Sequence, residues 1–107
     1  MQIPERFKLL GHVIEVKYDP ERFFEKGSLA ACSYEGKWIK LVPPSESHPI
    51  TQTSLEHTFL HELLHMCIEL TEQRQLNDNE KFIDTLAGLL HQAITTMEYD
   101  DKGESNN

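Results

Sequence analysis

Basic residues are scarce in this sequence, which has 10 Lys and Arg against 18 Asp and Glu and a formal net charge of −8. A surface with this balance repels phosphate groups, so we expect neither a nucleic acid nor a membrane as partner. No stretch approaches the roughly 20 apolar residues that cross a bilayer. The first residues also lack the basic and apolar segments of a signal peptide. The sequence therefore predicts a cytoplasmic protein.

The sequence contains only two cysteines, Cys32 and Cys67, and no CxxC pair. Two cysteines in a cytoplasmic chain are usually reduced and buried, which argues against a disulfide scaffold. The length of 107 residues suits one compact domain with a single core. We expect this domain to span residues 1–99, followed by a disordered acidic and polar tail over residues 100–107.

The first third of the chain predicts one strand and one short helical turn. Apolar and polar residues alternate over Phe7–Asp19, which is typical of a strand, and Gly11 indicates a bulge or a bend within it. After the break at Asp19-Pro20, residues Glu21–Lys26 could form one helical turn with Phe23 or Phe24 beneath the sheet.

A β-hairpin is predicted next. The apolar-rich runs Leu29–Tyr34 and Lys37–Val42 are separated only by Glu35-Gly36, and a two-residue connection containing glycine favours a tight turn. Pro43-Pro44 ends the second run because proline cannot donate to a strand ladder.

The second half of the chain has helical periodicity. Helix one is predicted over Ser54–Leu70, with Thr53 and Glu56 spaced as a capping box. The polar cluster Asn77–Asn79 is suited to the N-cap of helix two. The residues of helix two expected to face inward are Phe82, Ile83, Leu86, Leu89, Leu90, Ala93, Ile94 and Met97. The pattern predicts an α+β fold with a small, partly antiparallel sheet of about three strands and two packed helices.

Helix one contains the HExxH sequence His61-Glu62-Leu63-Leu64-His65. Two histidines four residues apart lie on the same helix face, so both imidazoles can bind one metal ion. Glu62 can then reach a water on that ion without binding the ion itself. The alternative is an ordinary helix with two surface histidines.

A catalytic zinc ion needs a third protein ligand, and helix one cannot supply it. His57 lies about 12 Å of helical rise from His65, and Glu69 lies as far from His61. Neither residue can bind the same ion as both motif histidines. The third ligand must therefore come from another element.

Helix two offers Glu80 and Asp84, one turn apart. If the two helices pack antiparallel, facing residues have position numbers with a constant sum. The pairs His65 with Glu80 and His61 with Asp84 both add up to 145. One register thus places Glu80 at the metal and Asp84 at the spare N–H of His61. The alternatives are that Glu80 belongs to an N-terminal cap starting at Asn77 and that Asp84 is an exposed helix charge.

The same register makes two further predictions. It places the small residues Ala87 and Gly88 opposite His57 and Thr58, where the helices approach closely. His91 is too far along helix two to bind the ion, and we expect it to be a hydrogen-bonded polar residue near the start of helix one.

An HExxH helix followed by a helix that begins Glu-x-x-x-Asp resembles the gluzincin group of zinc metallopeptidases. The segment Ile83–Leu90 also looks like the corresponding segment of small phage-type and ImmA/IrrE-like peptidases. The hairpin over Ala30–Ile39 is similar to the edge strand, turn and return strand that precede the motif helix in gluzincins. The resemblance implies a zincin-like fold and a zinc metalloendopeptidase.

Carried over to this chain, the resemblance implies one Zn²⁺ ion held by His61, His65 and Glu80. Glu62 would act as general base and acid, and Asp84 would orient His61. The substrate would be a peptide or protein that adds as an extended strand beside the predicted edge strand; the residues expected to contact it are Ala30, Ala31, Cys32 and Ser33. A competing arrangement has Phe7–Asp19 cover that edge, which would make Leu29–Tyr34 a central strand.

The sequence departs from the large gluzincins in two respects. The gap between His65 and Glu80 is shorter, and no subdomain follows helix two to supply the histidine or tyrosine that stabilises the oxyanion. Tyr34, His48 and Tyr99 are the candidate substitutes. A minimal, single-domain minigluzincin is the better comparison, with a protein partner or oligomer completing the cleft. The alternatives are a zinc-stabilised binding or regulatory domain and a hydrolase that is inactive without its partner.

Overall fold

The computed structural model describes residues 1–21 and 28–100. The helical turn predicted over Glu21–Lys26, with Phe23 or Phe24, falls largely outside these residues, as does the tail beyond Asp100. The elements are the strands β1 (Arg6–Leu9), β2 (His12–Tyr18), β3 (Ala30–Ser33) and β4 (Trp38–Leu41), then helix α1 (Gln52–Glu69), a 3₁₀ turn (Arg74–Asp78) and helix α2 (Glu80–Thr96). The predicted α+β class is confirmed, but the sheet has four strands rather than about three.

The single strand predicted over Phe7–Asp19 is wrong, because the chain reverses within it. Leu10 has φ of 50° and Gly11 has φ of 81°. Two successive residues in the left-handed region form the type of tight turn whose twist matches a hairpin, so β1 and β2 pair antiparallel. Gly11 therefore marks a chain reversal and not a bulge or bend.

This reversal changes which residues of β2 face the core. Phe7 pairs with Ile14 across the hairpin, so these two side chains share a face. Ile14 is fully buried, whereas its neighbour Val13 is 45% exposed. The ring of Phe7 packs edge-on against Phe59 of α1 at a centroid distance of 6.1 Å.

The strand order is β1-β2-β4-β3, with β2 parallel to β4 and the other neighbours antiparallel. β3 therefore lies at one edge of the sheet. The competing arrangement, in which Phe7–Asp19 covers that edge, is wrong because β2 pairs with the opposite side of β4.

The hairpin loop between β3 and β4 is longer than predicted. Ser33 pairs with Trp38, which leaves the four residues Tyr34–Lys37 in the loop. Lys37, with φ of 63°, adopts the left-handed conformation, and Gly36 does not. Gly36 is required for a different reason, because a Cβ atom there would overlap the Trp38 indole ring.

Helix α1 begins at Gln52, two residues before its predicted start, whereas α2 begins at Glu80, directly after the predicted capping cluster Asn77–Asn79. Thr51, and not Thr53, caps α1, because its hydroxyl accepts a hydrogen bond from the Ser54 amide at 3.0 Å. Asn79 caps α2 in the same way, accepting from the Phe82 amide at 3.0 Å. Such caps satisfy amides that have no partner within the helix.

Glu56 is buried and takes part in no capping box. His91 Nε2 lies 2.7 Å from its carboxylate, and the Gln52 side chain donates to it at 3.0 Å. These hydrogen bonds, that from His91 above all, lower the pKa of Glu56. The prediction that His91 is a hydrogen-bonded residue near the start of helix one is confirmed.

The core lies between the sheet and α1, and α2 contributes little to it. Only Ile83 and Ala87 of α2 are buried, because this helix packs on α1 and the 3₁₀ turn along one narrow face. The prediction that eight apolar residues of helix two face inward is therefore wrong for the exposed ones, which are Phe82, Leu89, Leu90, Ala93 and Met97. Within the described ranges, neither helix has the length and apolarity needed to span a bilayer.

Candidate metal centre

The two histidines of the HExxH sequence, His61 and His65, lie in the second half of α1, one turn apart on one helix face. The rings of His61 and His65 have centroids 4.9 Å apart. Their side chains are 19% and 17% exposed, so most of each ring is shielded from water. The helix alone therefore brings the two imidazoles together, as the four-residue spacing predicts.

Glu80, the first residue of α2, completes a three-residue cluster. One of its carboxylate oxygens lies 3.0 Å from His61 Nε2 and 3.3 Å from His65 Nε2. One ligand atom from each of these residues can be chosen such that all three lie within 4.8 Å of one another. The structure thus brings together the three predicted metal ligands, in the antiparallel register inferred from the sequence.

The outer nitrogen of each histidine has its own partner. His61 Nδ1 lies 3.3 Å from the Asp84 carboxylate, and His65 Nδ1 lies 3.1 Å from the Asn77 side-chain oxygen. Both partners are acceptors, so each Nδ1 would donate to its partner in the tautomer that leaves the Nε2 lone pair available to a metal ion. Metal-binding histidines are held in this way by carboxylates and carbonyls.

Asn77 is a residue of the site that the sequence did not reveal. Its predicted role was in the polar cluster before helix two, and the constant-sum rule cannot place it because it lies in the 3₁₀ turn. Its amide also donates to the Glu69 carboxylate at 3.3 Å, so both ends of its side chain are hydrogen-bonded.

We expect Asp84→Ala and Asn77→Ala each to weaken zinc binding by about 10- to 100-fold, because each removes the group that orients one imidazole. Competition with a chromophoric chelator would measure the affinity. Asp78→Ala is the matched control, since Asp78 is exposed in the same turn. Unchanged affinity in both variants would show that these contacts do not support the metal ligands.

Glu62 faces a cavity of about 720 Å³ that the three clustered residues also line. The β3 residue Cys32 lines the same cavity. Burial, followed by the charge and hydrogen bond of Glu62, raises the pKa of the Cys32 thiol. The thiol therefore stays protonated beside the Glu62 carboxylate.

The edge strand β3 forms one wall of this cavity. The Val42 amide donates to the Leu29 carbonyl at 2.9 Å, and bonded pairs alternate along an antiparallel ladder. The main-chain groups of Ala31 therefore face β4, whereas those of Ala30 and Cys32 point away from it. The Ser28 hydroxyl donates to the Ala30 carbonyl at 2.7 Å and accepts from the Ala30 amide at 3.4 Å. All the predicted substrate-contacting residues except Ser33 line the cavity of the metal cluster; Ser33 lines the neighbouring one.

His57 also lines the metal-site cavity, one turn before His61. Its Nε2 lies 3.1 Å from the Asp84 backbone carbonyl and 3.4 Å from the Asp84 carboxylate. Gly88 lies beside the ring, since a Cβ there would be 3.8 Å from it, in agreement with the predicted facing pair. His57 thus contacts Asp84, which also contacts His61, while lying outside the three-residue cluster. Its four-residue spacing from His61 is the signal that could have placed it here.

The three candidates for oxyanion stabilisation lie at different places. Tyr34 lines a second cavity of about 650 Å³, which shares Cys32 and His65 with the first. His48 lines a hollow beside the start of α1, which shares Leu29 and Ser54 with the first cavity. Tyr99 is 77% exposed beyond the end of α2. Of the three, only Tyr34 lines a cavity that reaches a residue of the metal cluster.

Comparison with family models, with curated proteins and with solved structures finds no match for this chain. The resemblance to gluzincins therefore depends on the motif residues and on the arrangement described above.

Proposed function

We propose that this protein is a zinc-dependent metallopeptidase that hydrolyses peptide bonds. The observation that carries the proposal is a single cavity lined by a His-His-Glu cluster, by Glu62 and by the edge strand β3. These are the three parts that metal-assisted peptide hydrolysis requires: a metal site, a proton carrier and a means of holding an extended chain.

The donor set fits a zinc ion. His61 Nε2 and His65 Nε2 both lie 3.0–3.3 Å from the Glu80 carboxylate, so one ion could take the two neutral imidazoles and the carboxylate as ligands. Two histidines and one glutamate are a ligand set of catalytic zinc, whereas structural zinc sites fill four positions with protein ligands. Zinc bound by His61, His65 and Glu80 would supply a Lewis acid that polarises the scissile carbonyl.

The chain's own residues account for the proton transfers. Glu62 lies next to His61 in the sequence and is no member of the ligand cluster, so its carboxylate is free to take a proton from the attacking water. It would then pass that proton to the leaving amine. The protonated Cys32 thiol beside Glu62 would help to hold this carboxylate in place.

The edge strand accounts for substrate binding. The outward main-chain groups of Cys32 can pair with an extended peptide, and those of Ala30 can do so when the peptide replaces the Ser28 hydroxyl. The peptide would add as a further strand beside the metal cluster. Small side chains at Ala30 and Ala31 leave room for that peptide to approach the cavity. Such main-chain bonding favours substrates in an extended, unfolded conformation.

A direct test is to incubate the zinc-loaded protein with a mixture of unstructured peptides and follow cleavage by mass spectrometry. We expect new termini that disappear when a chelator removes zinc and return when zinc is restored. Absence of cleavage by fully loaded protein, with and without added cell extract, would contradict the peptidase proposal and favour a zinc-stabilised binding domain.

The edge strand allows a matched pair of proline variants. Ala30→Pro removes an outward N–H, from which the Ser28 hydroxyl accepts at 3.4 Å, and is expected to keep the fold and zinc content. We expect kcat/KM to fall by about tenfold, the effect of one lost hydrogen bond to a substrate that replaces Ser28. Ala31→Pro removes an N–H that bonds to β4, so its melting temperature should fall. Thermal melts with peptide assays would compare them. Full activity in Ala30→Pro would show that the peptide does not pair with β3 there.

A further inference from the structure

The side of α2 that faces away from α1 carries a row of apolar residues, which we call the outer stripe. It consists of Phe82, Leu86, Leu89 and Ala93, with successive spacings of four, three and four. Phe82 is 39% exposed and Leu89 is 60% exposed. This alternation of three and four is the spacing with which two helices pack side by side along a seam.

The same part of α2 lacks charge. None of the 13 residues Thr85–Met97 is Asp, Glu, Lys or Arg, although 26% of the whole chain is of these types. Its one histidine, His91, is turned towards Glu56. A chain with net charge −8 repels its own copies over most of its surface, but this helix face brings no carboxylates together.

We propose that the outer stripe binds a second copy of this chain, with the two α2 helices antiparallel about a two-fold axis. In this arrangement Phe82 lies against Ala93 of the second copy, and Leu86 lies against Leu89. The twofold axis repeats both layers, so the four residues form a closed, self-complementary set. Each layer of phenylalanine and alanine combines a large side chain with a small one, which favours close packing.

Shape and charge both agree with this pairing. A surface hollow of about 410 Å³, lined by Phe82, Leu86 and Leu89, lies where Leu89 of the second copy would enter. Lys81 stands at the start of the stripe, and a lysine side chain leans towards the N-terminus of its own helix. In an antiparallel pair that direction leads to the end of the other helix, where Glu98 follows. Lys81, the only lysine or arginine of α2, would thus lie near Glu98 of the other copy at each end of the helix pair.

The contact is small. A helix of 17 residues is about 25 Å long, and one helix face buries less than the roughly 800 Å² per partner of a standard stable interface. We therefore expect a dissociation constant on the order of 10 to 100 μM. The proposal is independent of zinc and of any peptidase activity.

Analytical ultracentrifugation of the full chain, with and without zinc, over concentrations up to about 500 μM, tests the proposal. We expect a reversible monomer–dimer equilibrium that Leu89→Glu shifts to monomer. Leu10→Glu is the matched control, because Leu10 is 76% exposed on the β1–β2 turn, and it should dimerise like the wild type. Circular dichroism would show that both variants fold. A wild type that stays monomeric, or a dimer that Leu89→Glu leaves intact, would overturn the proposal.

A swap of two residues tests the antiparallel pairing. Ala93→Phe alone brings two phenylalanines together where Phe82 of one copy faces residue 93 of the other, and this crowding should weaken the dimer by about tenfold. Phe82→Ala alone should weaken the dimer because it removes the contact of the phenylalanine ring. The double variant restores one large and one small residue in each layer and should recover the affinity of the wild type to within about threefold. If Ala93→Phe associates as tightly as the wild type, the antiparallel register is wrong.

Discussion

Glu62→Gln is expected to lower kcat for peptide hydrolysis about a thousandfold while leaving the zinc content and the fold unchanged. The amide has nearly the shape of the carboxylate but cannot accept a proton from the attacking water. Zinc should stay bound because Glu62 is not one of the three clustered ligands. The expected pattern is therefore a loss in kcat with little change in KM.

Glu72→Gln is the matched control for this variant. Glu72 is an exposed glutamate that follows the end of α1, so the substitution makes the same chemical change away from the cavity. Its peptidase rate should equal that of the wild type. A Glu62→Gln protein that retains more than about a tenth of the wild-type rate would show that another group carries the proton.

Removal of the metal ligands should have the second large effect. His61→Ala, His65→Ala and Glu80→Ala each leave two of the three ligands, so zinc content after dialysis should fall from one equivalent to near zero, and hydrolysis should stop. These variants should remain folded, because Ile83 and Ala87 hold α2 on α1 without any metal. Elemental analysis and circular dichroism measure the two properties.

His57→Ala is the control for the ligand variants. It removes a histidine from the same helix and the same cavity, but one that lies outside the ligand cluster. Zinc content close to one equivalent is expected. If Glu80→Ala also retained its zinc, Glu80 would not be a ligand and the site would be a two-histidine site of another kind.

The arrangement of the site could be inferred from the sequence because it depends on two regular helices. A four-residue spacing fixes the relation of His61 to His65, and antiparallel packing then relates both to Glu80 and Asp84. The distances of 3.0–3.3 Å between these side chains follow the inferred register. In a regular helix each residue is rotated from the one before it by a constant angle, so spacing in the sequence fixes which side chains share a face.

Features outside the regular helices could not be inferred in this way. The reversal at Leu10 and Gly11 was missed because a leucine in the left-handed region is rare and leaves no pattern in the sequence. Asn77 was missed because its turn does not share the register of the helices. The exposure of Leu89 was missed because apolar periodicity shows that a helix has an apolar face without showing what covers it.

The most direct test of the central claim is a crystal structure of the zinc-loaded protein, with diffraction data collected on both sides of the zinc absorption edge. We predict one anomalous peak per chain, about 2 Å from Nε2 of His61, Nε2 of His65 and a carboxylate oxygen of Glu80. A peak away from these three side chains, or no peak in protein with one equivalent of zinc, would contradict the proposed metal centre.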